Sequence, residues 1–376
     1  NQTNMPIDIK DYQVGNIELI DSPALLVYRQ RVEQNIARML EMAGSAERLI
    51  PHVKTHKMAA VVQLYLQAGI KKFKCATIAE AEMTASSGAE EIVLAYQPVG
   101  PKLKRWITLI QRFPWVRFAA LVDDASVIES FALEAKKQEQ NLWLLLDVDG
   151  GMGRTGVKPG PEAIALYRQI DQHDLLTAAG IHAYDGHVRL PDLSDRKAKS
   201  DEDFAKVLQL RETLREAGMK VERLITAGSP SFPTHLDQED IELSPGTTIF
   251  WDAGYGQRFA DMPFEPAALV LSRVISKPGP GRLCLDLGHK SIASENPPEK
   301  RVLFPQLEVE KILTHSEEHL VIESPQADQY QVGDVLYGLP YHICPTVALH
   351  QEGIVIEEGM AVGHWPVTAR DRRLKI

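Results

Sequence analysis

The segment PHVKTHK at 51–57 places two lysines and two histidines at the end of an apolar run, RLIPHV (48–53). In an extended strand side chains alternate faces, so His52, Lys54 and His56 would share one face, and Val53, Thr55 and Lys57 the other. The alternation singles out Lys54. An amine that is partly desolvated and flanked by imidazoles has a lowered pKa, which suits it to forming a Schiff base near neutral pH. The alternative is a pair of solvated loop lysines beside structural histidines. Further along, LDVDGGMGRTGVKPG (146–160) puts Gly151, Gly153 and Gly156 after an apolar strand. That spacing mimics a dinucleotide fingerprint, but the fingerprint needs its last glycines to open a helix, and VKPGPE intervenes. The better reading is a loop presenting Arg154, with Asp147 or Asp149 on the strand, to an anionic oxygen.

LITAGSPSF (224–232) ends another apolar run with Gly228 and Ser229. Late loops of barrel enzymes bind phosphate through such backbone N–H groups and hydroxyls, and an ordinary Gly-Ser turn is the plain alternative. GIHAYDGHV (180–188) sets His182 and Tyr184 on one strand face with His187 just beyond. These are candidates for acid, base or ring contacts, and equally for polar tips of packed side chains. LPYHICPTVALH (339–350) places His342 and Cys344 two apart. Imidazole and thiolate suit zinc, and two ligands leave open positions, as a catalytic metal requires. Asp252 and Tyr255 in FWDAGY either contact a cofactor or join two domains.

From about 24 to about 250, eight short apolar runs alternate with segments of helical periodicity: ALLVY (24–28), RLIPHV, KKFKCAT (71–77), EEIVLAY (90–96), VRFAALV (116–122), NLWLLLDVD (141–149), AAGIHAY (178–184) and ERLITAG (222–228). Alternating strands and helices predict parallel βαβ units, and eight of them predict a closed (β/α)8 barrel rather than an open sheet. After about residue 262 helical periodicity nearly vanishes and Pro- and Gly-punctuated β runs predict an antiparallel β domain. The expected division is 20–262 for the barrel, with 1–19 and 263–376 in the β domain. In that arrangement the chemistry-bearing residues sit at the C-terminal ends of barrel strands, where barrel enzymes place their active sites.

Composition narrows the function. A net charge of −10 with no basic, aromatic-interleaved cluster speaks against nucleic acid. No run approaches the roughly 20 apolar residues that span a bilayer. The three cysteines, Cys75, Cys284 and Cys344, are too few and scattered for a disulfide framework. The polar opening NQTNMPIDIKDYQ does not read as a secretory signal, so a cytoplasmic protein is expected.

Together PALLVYRQRVEQNI, PHVKTHK, ATIAEAE, DVDGGMGRTG, HAYDGH, TAGSPSF, LSPGTTIFWD, SEEH and HICPT resemble the D-threonine aldolase and D-serine dehydratase family. These are pyridoxal phosphate enzymes with the alanine-racemase-like fold. The resemblance implies that Lys54 carries the cofactor, that Arg154 lies near its phenolic oxygen, and that Gly228 and Ser229 lie near its phosphate. It further implies that His342 and Cys344 bind a divalent metal (Zn, Mn or Mg) that serves the β-hydroxyl of a D-amino acid substrate. His52, Tyr184 and Asp252 are candidate cofactor neighbours, and His187 and Tyr184 candidate acid–base groups. Aldolases of the family can carry an aspartate at the second metal position, so Cys344 makes this pair look closer to the zinc-dependent dehydratases, and TAGSPSF departs from the phosphate segment of relatives, which often has more glycine and a threonine. Retro-aldol cleavage to glycine and an aldehyde is the favoured expectation. Elimination to an α-keto acid and ammonia, or racemisation, are the alternatives, and fold relatives imply a homodimer.

Overall fold

The computed structural model describes residues 7–375 and divides into two compact units, one of 7–38, Thr55–Val61 and Thr247–Arg370, the other of Met39–Lys54, Val62–Gly246 and 371–375. The strand run 24–28 is β1 (Ala24–Tyr28), and it belongs to the first unit. The second unit holds seven parallel strands paired in chain order: β2 (Lys72–Cys75), β3 (Glu91–Leu94), β4 (Arg117–Val122), β5 (Leu142–Asp147), β6 (Leu176–Ala183), β7 (Arg223–Thr226) and β8 (Glu242–Leu243). Residues 49–52 join the two edges: Leu49 bridges Leu243 and His52 bridges Lys74, with Ile50 N–H donating to Leu243 O at 2.9 Å and Lys74 N–H to Pro51 O at 3.0 Å. The sheet is therefore a closed parallel barrel of eight segments.

Local chemistry explains the alternation of strand and helix. Thr77 stops β2 and opens the helix Ile78–Ser86, its Oγ1 accepting the Glu80 N–H at 3.0 Å. Asp124 and Asp192 cap Ala125–Gln138 and Leu193–Glu216 in the same way. Inside the barrel Ile50, Val93, Ala119, Leu121, Leu145, Ala179 and Ile225 form one apolar layer. Below it, Arg223 holds Glu242 through two hydrogen bonds at 2.6 and 2.8 Å, and Lys72 reaches the same carboxylate at 2.8 Å.

In the first unit β1 pairs antiparallel with β9 (Ala268–Ser276) and parallel with a strand near the C-terminus. The remaining strands are β10 (Arg282–Leu285), β11 (Val302–Leu303), β12 (Lys311–His315), β13 (Leu320–Glu323), β14 (Val335–Pro340), β15 (Glu352–Glu357) and β16 (Met360–Pro366). All their pairings are antiparallel except β1 with β15. Tyr12, Leu26, Tyr28, Leu269, Leu271, Tyr337, Leu339 and Ile356 build its core.

The expected fold class therefore stands, with two corrections to its parts. ALLVY is a strand of the antiparallel sheet rather than of the barrel, and the eighth barrel strand is the two-residue β8. The expected boundaries also shift, because 20–38, 55–61 and 247–262 pack with the β domain rather than the barrel; residues 1–6 and 376 of the expected β domain lie outside the described residues. No helix among the described residues is long and apolar enough to cross a membrane.

Candidate active site

In the barrel unit, residues at or just beyond strand C-termini converge. Lys74 is 2 % exposed, and its Nζ lies 3.2 Å from His182 Nε2, whose Nδ1 lies 2.8 Å from Asp147 Oδ1. β2 and β6 are four places apart in the sheet, so this contact runs through the barrel interior. The Asp147 carboxylate accepts a hydrogen bond from His182 Nδ1–H, which leaves Nε2 to accept from the Lys74 amine. Burial pulls Lys74 down to about 7, with the Lys54 charge adding to the effect. Burial and then Lys74 hold His182 below its ordinary value, so it is neutral.

Three cations surround one ring: the Lys54 Nζ, Lys74 Nζ and Arg154 guanidinium lie 6.0, 5.5 and 4.7 Å from the Tyr184 ring centre. The nearby carboxylates are committed elsewhere. Asp147 serves His182, and buried Asp185 accepts from Ser231 Oγ at 2.5 Å and the Gly228 N–H at 3.3 Å, and lies 2.8 Å from His235 Nε2. The cluster thus gathers two lysines, an arginine and an aromatic face, with the carboxylates of Asp147 and Asp185 turned to other partners. An anionic aromatic cofactor with a phosphate and a phenolate, such as pyridoxal phosphate, fits that donor set.

The expected strand face at 52–56 is not formed. The strand ends at His52, and Lys54 sits in a 3-10 turn, Val53–Thr55, where period-two alternation fails. His52 Nδ1 accepts the Lys54 N–H at 3.3 Å, so His52 braces the turn. His56 is buried against Phe250, accepts the Met58 N–H at 3.0 Å, and is held by burial at about 3, well below its ordinary value. It is a neutral structural histidine.

The glycine loop folds on Asp149, whose carboxylate accepts the N–H groups of Gly151 and Gly153 at 3.0 and 2.9 Å. Gly156 has φ +99° and lies against the Asp149 backbone, where a Cβ would meet Asp149 N at 2.6 Å. A Cβ on Gly228 would reach the Tyr184 ring at 3.0 Å, and its N–H is shared between Asp185 and Ser231 at 3.1–3.3 Å. Gly228 thereby makes room for the ring, while Ser229 Oγ accepts the Gly246 N–H at 3.2 Å. His187 Nε2 lies 2.7 Å from Asp203 Oδ2, which Lys199 also holds through the other oxygen at 2.9 Å. Its Nδ1 is buried with no protein partner. With Nε2–H donating to the Asp203 carboxylate, Nδ1 carries the lone pair of a base.

In the other unit, His342 follows β14 and precedes the helix Ile343–Leu349, whose second residue is Cys344. The Cys344 Sγ lies 3.2 Å from Thr55 Oγ1 and 3.4 Å from Thr247 Oγ1. Burial opposes the thiolate, but hydrogen bonds from His342, Thr247 and Thr55 outweigh it and hold the thiol below its ordinary value. Burial likewise opposes charge on His342, and its bonds to Cys344 and Glu295 lift it to about 9. The pair therefore favours the thiolate, the form that binds a metal. No three His, Cys, Asp or Glu side chains among the described residues are arranged to enclose a metal. A two-ligand site with open positions is what the donor set offers. Asp252 is corrected from a cofactor contact: its two oxygens accept the Tyr255 and Ile343 N–H groups at 2.9 and 3.0 Å, so it anchors the short helix Ala253–Arg258 and the Cys344 helix. Burial raises it to about 6.

Lys74, Asp185, His235, Asp203 and Glu295 were not legible as site residues. One prediction arises from Lys74. Its ordinary value is 10.5 and its folded value about 7, so below pH ~10.5 the unfolded chain takes up a proton that the folded chain resists. Stability from this group is lost as pH falls from about 10.5 towards 7, at up to about 1.4 kcal/mol per unit. Lys74→Met is expected to be more stable than the parent at pH 7, by ~1–3 kcal/mol after loss of the His182 bond, with little difference near pH 10. Denaturant unfolding at both pH values checks this, and an equal difference at both would contradict it.

A closed parallel barrel with a cationic, aromatic mouth defines an enzyme scaffold for an anionic cofactor. The chain belongs to the family described as "Alanine racemase, N-terminal domain", matched over 27–253, and is a pyridoxal phosphate-dependent lyase of the alanine racemase fold. A "Putative serine dehydratase domain" matches 267–356. It is 28% identical to a D-threonine aldolase of Arthrobacter sp over 93% of both chains. It is 28% identical to a 3-hydroxy-D-aspartate aldolase of Paracoccus denitrificans (strain Pd 1222), over 98% of this chain and 99% of the relative. The crystal structure of D-threonine aldolase from Filomicrobium marinum superposes with a TM-score of 0.82 at 28% identity, covering 93% of this chain and 96% of that one.

Proposed function

We propose that this chain is a pyridoxal phosphate- and divalent-metal-dependent lyase that cleaves D-β-hydroxy-α-amino acids to glycine and an aldehyde. The observation that carries the reading is the His342–Cys344 pair, two metal-type donors two residues apart at the start of one helix, because a racemase of the same fold has no use for it. The relatives of 28% identity that are named aldolases support the choice of reaction.

Pyridoxal phosphate, when bound, supplies an electron sink for charge left at Cα. A divalent cation supplies Lewis acidity at the β-hydroxyl. Lys54 offers the amine that would hold the cofactor aldehyde. Arg154 and Lys74 set the positive field that an anionic ring system needs, and Tyr184 offers a face to it. His187 Nδ1 takes the β-hydroxyl proton, with Asp203 stabilising the resulting imidazolium. The Cα–Cβ electron pair stays on Cα, the β carbon leaves as an aldehyde, and a proton returned to Cα completes glycine.

A second reading is favoured by Cys344 itself and by the dehydratase-domain match over 267–356. There Lys54 removes the Cα proton, hydroxide leaves from Cβ, and the product hydrolyses to an α-keto acid and ammonia. Incubating the loaded protein with D-threonine, D-serine and 3-hydroxy-D-aspartate separates the two. Glycine with an aldehyde supports the aldolase; keto acid with ammonia assigns the dehydratase; racemised substrate alone would defeat both.

A further inference from the structure

We infer that Glu295 is the positioning residue of the metal pair: it fixes His342 so that Nε2 is the nitrogen offered to the cation. This rests on the metal reading of His342 and Cys344 given above. The Glu295 carboxylate is hydrogen-bonded to His342 Nδ1. A carboxylate can only accept, so Nδ1 keeps its proton on the Glu295 bond, and Nε2 is the nitrogen that can give up its proton to a cation. That is the arrangement in which a carboxylate orients a ligating histidine and raises its basicity.

The segment that carries Glu295 is tied down on both sides. His350 Nε2 lies 2.7 Å from Ser291 O, the Ala293 N–H donates to Thr346 Oγ1 at 3.1 Å, and Arg301 Nε donates to Asn296 O at 2.7 Å. Thr346 and His350 lie on and just after the helix that bears Cys344, and Thr346 Oγ1 also donates to the His342 carbonyl at 2.9 Å. The carboxylate is therefore indexed to the same helix as both ligands. Stability is a poor reason for such placement, because the His342 and Glu295 side chains are 47% and 46% exposed and an exposed ion pair contributes little. Ligand orientation is the role that needs a fixed carboxylate at this atom.

The test is zinc affinity of the metal-stripped, full-length protein, measured by competition with a chromophoric chelator. Glu295→Gln is expected to weaken zinc binding about 10- to 100-fold with unchanged thermal unfolding, and Glu295→Asp to recover part of it. In a His342→Ala background, Glu295→Gln should cause no further loss, since Glu295 acts through that imidazole. Affinity within twofold of the parent in Glu295→Gln would overturn the inference alone. An equal loss in the His342→Ala background would overturn it too, by making Glu295 a ligand in its own right. A parent protein that binds no zinc would defeat the metal reading and this inference with it.

Discussion

Lys54→Ala is expected to lose turnover by about a thousandfold or more, the scale on which loss of a covalent nucleophile is felt. The visible absorbance of lysine-held cofactor should vanish with it. Lys54 is half-buried in a short turn, and its backbone N–H bond to His52 does not depend on its side chain. Folding should therefore survive, and unchanged far-UV circular dichroism would show that the loss is chemical. Lys54→Arg should not rescue, because a guanidinium is charged at every accessible pH and is no nucleophile. Persistence of the absorbance and of turnover in Lys54→Ala would remove Lys54 from the account. Lys74, buried beside the same Tyr184 ring and held near 7, is then the next amine to consider.

The second large effect is expected at the metal pair. His342→Ala or Cys344→Ala should each lower turnover by about 10²- to 10³-fold, and addition of Zn²⁺ or Mn²⁺ should no longer stimulate what remains. Cys344→Asp keeps an anionic ligand but exchanges a soft donor for a hard one. It should shift the preferred ion from Zn²⁺ towards Mn²⁺ or Mg²⁺, because thiolate favours zinc and carboxylate the harder ions. Turnover that is unaffected by an exhaustive chelator would contradict the role of both residues.

Some of this site was readable in the sequence, and the misses have physical causes. The count of eight barrel segments was right through two compensating errors. An apolar run such as ALLVY has no feature that separates a parallel barrel strand from a strand of an antiparallel sheet. Glu242–Leu243 is too short to register, and the Ser-Pro-Gly that follows reads as a turn. Lys54 was singled out by a face alternation that the chain does not adopt there, since it leaves the strand at His52. Its place beside Tyr184 comes from the turn instead.

Lys74 was hidden by the same logic. In KKFKCAT the alternation assigns Phe73 and Cys75 to the core and the lysines to solvent, but barrel strands bury both faces. Lys72 and Lys74 point inward, one into a charged layer below the apolar core and one into the mouth above it. Asp203 comes to its histidine from the helix that follows and Glu295 from a Pro-rich loop, with no spacing signal to connect them. The HxC pair, by contrast, was legible because both ligands come from one short segment.

The most direct test of the central claim is borohydride reduction of the cofactor-loaded protein, followed by peptide mapping. The account predicts the cofactor mass on the peptide that contains Lys54 and on no other. Cofactor found on the Lys74 peptide, or on no lysine peptide at all, would contradict it.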